Sequence, residues 1–203
     1  MIRAIVLAAG ASSRMGQAKA ALPMGTTGET VVARVVRTLL AAGLRDVTVV
    51  AGAHIDAVRA AMPTHEPRAR VVEHPGWAQG QLSSLLAGLA AVDGPQLEAI
   101  LVTLVDVPLV RPDSVAAIVH AWRTSRAPIV RPVNGDRHGH PVVFDRAVFD
   151  DLRAADPSVG AKAVFATYAS QRLDVPITDD GAFVDVDTPE DYLRVLNGQR
   201  QTG

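Results

Sequence analysis

Hydrophobic positions along this chain fall into two kinds of block. Near-continuous apolar runs, of the kind that strands buried on both faces make, stand at 2–7 (IRAIVL), 46–51 (DVTVVA), 70–73 and 99–105 (AILVTLV). Between them, apolar residues recur at helical spacing: 28–42 (GETVVARVVRTLLAA, stopped by Gly43), 55–62 (ended by Pro63), 82–92, and a helix opened by Pro112 that carries Val115, Ile118 and Val119. Such alternation predicts parallel strands joined by right-handed crossover helices. The pattern changes after residue 127. Pro128 to Pro132, a turn at Asn134-Gly135, and His140 to Phe144 predict an antiparallel pair. A helical stretch at 157–169, a strand at 183–186 and a last helix follow, the last with Thr188 as cap, Pro189 at its first position and Glu190-Asp191 in its first turn. The expected fold is α/β: a three-layer sandwich around a mostly parallel, mixed sheet, Rossmann-like and nucleotide-binding. It is expected as one domain over 1–198 with a frayed tail at 199–203.

Composition narrows the class. At 203 residues and 48% hydrophobic, the chain can bury one sizeable core. A formal net charge of −1 gives no electrostatic footprint for nucleic acid or a membrane surface. The absence of cysteine excludes disulfides and thiolate metal sites and suits a reducing compartment. No charged segment followed by a long apolar one opens the chain, and no apolar run reaches membrane-spanning length, so a cytoplasmic protein is expected.

The first strand ends in Ala8, Ala9, Gly10 and Ala11, and Ser12, Ser13, Arg14, Gly16 and Lys19 follow. Small residues at the carboxyl end of a strand let backbone N–H groups approach an anion, and two cations neutralise it; the ligand this suits is a polyphosphate. Gly10 and Gly16 have five residues between them and Gln17 follows, so the G-x-x-x-x-G-K-[ST] pattern is not met. A G-x-G-x-x-G turn is also missing here. Two further strands end in carboxylates: Asp106 after LVTLV, and Asp185 and Asp187 before Thr188. Each aspartate could cap the element that follows it. Together with a phosphate loop at the same rim, Asp106 and Asp187 suit Mg²⁺, which is held by few carboxylates plus substrate phosphates. At Gly80 to Leu85 (GQLSSL), Ser83 and Ser84 could read a base or ribose or act as helix caps. His138 and His140 are two apart without a third convergent ligand, which disfavours zinc. His140 could bond a second substrate or hold its turn.

Five ordered blocks carry a resemblance: LAAGASSRMGQAKAALP at 7–23, GQLSSLLAGL at 80–89, LVDVP at 104–108, GHPVVF at 139–144 and DVDTPEDY at 185–192. They resemble the molybdenum cofactor nucleotidyltransferases, within the single-domain nucleotidyltransferases of glycosyltransferase-A-like fold, and among them most the cytidylyltransferases. The resemblance implies that Leu7, Ala9, Gly10 and Ser12 hold the nucleotide, with Arg14 and Lys19 on its phosphates. It implies Gly80, Ser83 and Ser84 at base and ribose, Asp106 and Asp187 on Mg²⁺, and His140 facing the acceptor. Arg14, Lys19 and Asp106 would carry catalysis. The implied reaction is in-line attack by an acceptor phosphate on the α-phosphorus of a nucleoside triphosphate, CTP above all, with a molybdopterin-type acceptor and a molybdoenzyme client or its chaperone as partners. A GTP-dependent guanylyltransferase, a sugar-1-phosphate nucleotidyltransferase and a non-catalytic accessory protein that binds nucleotide or cofactor remain open at this point.

Overall fold

The structure, a computed structural model, describes residues 1–25 and 28–200. Its first strand, β1 (Ile2–Ala8), is buried almost throughout because it lies mid-sheet, with parallel neighbours on both sides. After a single 3₁₀ turn at Lys19–Ala21, the short strands β2 (Pro23–Met24) and β3 (Glu29–Thr30) pair off the main sheet. Helix α1 (Val31–Ala41) starts later than its periodicity suggests, because the Thr30 side chain accepts from Ala33 N and caps it there. The winding continues through β4 (Val47–Ala51), α2 (Ile55–Ala61), β5 (Ala69–Glu73), α3 (Gln81–Val92), β6 (Ala99–Leu104) and α4 (Pro112–Ser125). Pro112 occupies the first turn of α4, and Arg126 ends that helix in a left-handed conformation, φ 52°.

The second half mixes directions. Strand β7 (Ile129–Asn134) turns at Gly135 into β8 (Arg137–His138), and β9 (Val142–Asp145) slots antiparallel between β6 and β7. Helices α5 (Phe149–Ala154) and α6 (Lys162–Thr167) lead to β10 (Leu173–Pro176), parallel to β7 at the sheet edge, and α7 (Pro189–Arg200) closes the chain. The sheet order is β10-β7-β9-β6-β1-β4-β5, with β8 beside β7. One face packs against α1, α4 and α7 through residues such as Val35, Leu39, Ile118, Trp122 and Val195. The other packs against α3, α5 and α6 through Leu85, Leu89, Phe149, Leu152 and Val164. The three-layer Rossmann-like architecture matches expectation.

Two of the expected elements differ, and the edge strand β10 was not expected. The expected strand at 183–186 is a 3₁₀ turn at Asp180–Phe183 followed by irregular chain. That segment is tied by single bonds to two different places, His140 N to Ala182 O (2.9 Å) and Val186 N to Asp106 O (2.8 Å), and a ladder never forms. The helix expected at 157–169 is confined to α6, and α7 runs to Arg200; the end of the expected frayed tail, 201–203, lies outside the described residues. Among the described residues, no helix is long and apolar enough to cross a membrane.

The winding positions the site. From β1 the chain goes to β4 and β5 on one side, then returns to β6 on the other. At such a switch point, the carboxyl ends of β1 and β6 diverge and leave a crevice. On the adjoining face, α3 lies close to the sheet because Gly88 has no side chain: a Cβ there would come within 2.6 Å of Ile5 Cγ2 and 2.9 Å of Val50 Cγ2. That close approach brings the amino end of α3 to the crevice.

Candidate active site

A cleft of ≈ 390 Å³ opens at this switch point. The segment after β1 lines it from Leu7 to Arg14, and Lys19, Gly80, Ser84, Asp106 and Asp187 join from elsewhere in the chain. Ser12 is the bend of the loop: its φ of 49° is left-handed, its carbonyl accepts from Met15 N (2.9 Å) and Gly16 N (3.2 Å), and its Oγ accepts from Lys19 N (3.3 Å). A left-handed residue within a tight turn directs successive N–H groups to one side, the arrangement that anions occupy.

The charged groups meet across long stretches of sequence. Lys19 Nζ lies 2.7 Å from Asp187 Oδ1 and 3.4 Å from Asp106 Oδ2, and Arg14 Nη2 donates to Asp187 Oδ2 at 3.0 Å. Lys19 is 7% exposed, held in by its 3₁₀ turn, whereas Arg14 reaches into solvent. The Lys19 hydrogen bond holds the Asp187 carboxyl below its usual range, with Arg14 adding to it; burial and the neighbouring Asp106 and Asp187 push Asp185 upward. Three formal negative charges therefore face two positive ones, and Asp106 Oδ1 is buried without a hydrogen-bond partner. Both observations fit a cation beside Asp106 and Asp187. Among the described residues no three His, Asp or Glu side chains group to cage a metal alone. Mg²⁺ needs no such cage, since phosphate oxygens and waters complete its shell.

Not every expected residue lines this cleft. Ser83 turns its hydroxyl inward, donating to Gly80 O (2.8 Å) and meeting His74 Nε2 (3.0 Å), so it holds the loop ahead of α3. Gly80, at φ 102°, and Ser84 do line it. His140 lies in a neighbouring cavity, where burial pushes its ring below the usual imidazole value against the opposing pull of the Val102 backbone and Asp106, and its Nδ1 is buried without a hydrogen-bond partner. The sequence reading missed His54, Trp77 and Gln81. His54 Nε2 meets Ala11 O at 2.9 Å, and Ala53 N donates to Ala9 O at 3.1 Å, so the turn after β4 braces the loop after β1. Gly52 leaves the space that Trp77 fills: a Cβ there would lie 2.5 Å from Trp77 Cβ. The signal was available, since every loop at the carboxyl ends of parallel strands borders the same crevice.

Comparison with known proteins gives this geometry a lineage. Residues 4–173 match the MobA-like NTP transferase domain. The chain belongs to that family. It is a nucleotidyltransferase of the MobA-like type, related to molybdenum cofactor enzymes. This MobA-like chain is 33% identical over 202 residues to nicotine blue oxidoreductase of Paenarthrobacter nicotinovorans, covering 96% of each. It is 27% identical over 198 residues to molybdenum cofactor cytidylyltransferase of Escherichia coli K12, covering 95% and 94%. Among solved structures, Rv0371c of Mycobacterium tuberculosis superposes with TM-score 0.81 at 29% identity, covering 97% of this chain and 98% of the other. Rv0371c has also been solved as a manganese complex (TM-score 0.72, 30% identity, 97% and 98% covered).

Proposed function

We propose that this MobA-like protein transfers CMP from CTP to a molybdopterin-type acceptor in the cytoplasm, with Mg²⁺ and release of pyrophosphate. The observation that carries the reading is the meeting of Lys19 and Arg14, from the loop after β1, with Asp106 and Asp187 at the switch point. The acceptor and the base come from the name of the Escherichia coli relative. A molybdoenzyme or its chaperone would receive the product.

The N–H groups of the loop around Ser12 bind phosphate oxygens, while Leu7, Ala9 and Gly10 leave room for the nucleotide. Lys19 and Arg14 stabilise the charge that grows on the departing pyrophosphate. Gly80 and Ser84 face base and ribose, and Ser83 keeps their loop in shape. Asp106 and Asp187 would hold Mg²⁺. That ion, when bound, supplies Lewis-acid polarisation of the α-phosphate. The acceptor's phosphate oxygen is already anionic, so no general base is required; catalysis consists of positioning and charge neutralisation. His140 faces the acceptor.

The test is pyrophosphate release with Mg²⁺ and molybdopterin, comparing CTP, GTP, ATP and UTP. Preference for CTP is expected. Preference for GTP would replace cytidylyl by guanylyl transfer, and no release with any of the four would overturn the reading. A redox activity on the same scaffold is the second reading, favoured by the 33% identity to nicotine blue oxidoreductase. Dinucleotide-dependent reduction of nicotine blue without pyrophosphate release would establish it.

A further inference from the structure

Two roles collide at Lys19. As a phosphate ligand it belongs with the nucleotide, while Asp106 and Asp187 belong with the metal. Yet Lys19 Nζ stands between the two carboxylates, 2.7 Å from Asp187 Oδ1 and 3.4 Å from Asp106 Oδ2. Arg14 Nη2 takes the other Asp187 oxygen, Oδ2, at 3.0 Å. Cations therefore engage both oxygens of Asp187. Of the four carboxylate oxygens, only Asp106 Oδ1 lacks a hydrogen-bond partner among the described residues.

An ammonium and a divalent ion cannot share that place. Mg²⁺ takes oxygens at about 2.0–2.1 Å in near-octahedral geometry. An ammonium on the same oxygens would face it as a like charge. Lys19 is also buried, and its backbone N–H is fixed to Ser12 Oγ at 3.3 Å. Parting a buried ion pair leaves uncompensated charge, so the ammonium needs another anion to go to. A polyphosphate on the loop around Ser12 supplies one, because Lys19, Arg14 and that loop line the same cleft. Arg14 already reaches into solvent and can turn with it.

We propose that Lys19 keeps divalent cations off Asp106 and Asp187 until a nucleotide draws it, with Arg14, onto the phosphates, so that phosphate binding makes the metal site. The proposal rests on reading Asp106 and Asp187 as the metal's ligands. Metal and nucleotide then strengthen each other's binding by the same factor, since such coupling is reciprocal. The two carboxylates are never left without a cation between them, and the metal alone is refused.

The test is titration of the full chain with Mn²⁺ alone, read by the electron paramagnetic resonance of free Mn²⁺, for wild type, Lys19→Met, Asp106→Asn and the double variant. Lys19→Met should bind Mn²⁺ at least about tenfold more tightly than wild type, the scale of one charge-assisted contact, and adding Asp106→Asn should abolish the gain. Equal affinity in wild type and Lys19→Met would overturn the proposal; loss of that binding in Asp106→Asn would leave the aspartates as the metal's ligands. Mn²⁺ bound by no variant, and held no better by protein with CTP than by CTP alone, would overturn the metal reading as well. The wild type gives a second measurement that needs no altered site. Lys19 and Lys162 are its only lysines, so ¹³C-labelled lysine gives two Cε signals in a nuclear magnetic resonance spectrum, which Lys162→Gln assigns. Metal-free CTP should move the Lys19 signal and Mg²⁺ alone should leave it in place. Movement with Mg²⁺ alone, or an unmoved signal with CTP bound, would overturn the proposal.

Discussion

The two cavities share a wall and little else. The first is built from loop backbone and formal charges at the carboxyl ends of β1, β4 and β6; the second is built from side chains of β6, β7 and β9 roofed by the 157–165 segment. The first has carboxylates facing cations, while the second has cations with no carboxylate on its walls. A polar cleft with one carboxylate charge in excess accepts a ligand that brings its own phosphates and ion.

The largest effect should come from Asp106→Ala. Turnover is expected to fall by about 10²–10³-fold, the scale of losing one preorganised electrostatic group. The fold should survive, because the Asp106 contact with the last segment is made by its backbone carbonyl, which accepts from Val186 N. Pyrophosphate release and the melting curve check both halves, and near-normal metal-dependent turnover would remove Asp106 from the site. Lys19→Ala comes next. It deletes the cation shared by Asp106 and Asp187, and kcat/KM for the nucleotide should drop by about tenfold to a hundredfold, with KM raised. An unchanged nucleotide KM and kcat would move the phosphate site elsewhere.

Gly139→Ala probes the other side of the shared wall. A Cβ at Gly139 would lie 2.1 Å from the backbone oxygen of Ala182, so the strand pair around it must shift and carry His140 along. A stability loss of about 1–3 kcal/mol is expected, as for other overpacked positions. In the comparison this variant separates the cavities: affinity for the acceptor should weaken more than affinity for CTP. Equal weakening of the two would mean that the cavities are not independent.

The smallest effect concerns the Arg131–Asp174–Arg172 cluster. Hydrogen bonding to Arg131, then to Arg172, holds the Asp174 carboxyl below its ordinary value of 3.8. A depressed folded-state value means that the stabilisation is present above pH 3.8 and disappears as pH falls through the lower folded value. The partly exposed pair is screened, so the contribution is at most about 1 kcal/mol. Melting temperatures of wild type and Asp174→Asn should differ at neutral pH and converge in acid. A gap that persists after Asp174 has become fully protonated would show that the ion pair is not its source.

The difference between the cavities also explains how much of each was legible. The loop after β1 could be read because its groups follow one another from Leu7 to Lys19, and because the strand ahead of it announces where they sit. Asp106 was legible for the same reason, as a polar residue ending an apolar run. Asp187 reached the expected rim by a different route, an irregular segment pinned to Asp106 instead of a strand. Strand β10 was missed: it is a partly exposed edge of four residues ending in Pro176, with neither a continuous apolar run nor a central position to mark it. Ser83 showed a hydroxyl but not the direction of its bond, since its partners His74, Gly76 and Gly80 are set by the turn itself.

The sequence by itself determined the crossover topology of the first half, the small-residue, cationic loop after β1 and two of the carboxylates beside it. Hydrophobic period, small residues and strand-end charges act over a few residues, so they are written locally. Only the tertiary structure decided that β9 runs antiparallel between β6 and β7, that Lys19 bridges two carboxylates 87 and 168 positions away, and that Arg131, Lys162 and two phenylalanines enclose one cavity. Those facts depend on which surfaces bury each other, and in a packed interior that is settled by the whole set of contacts at once.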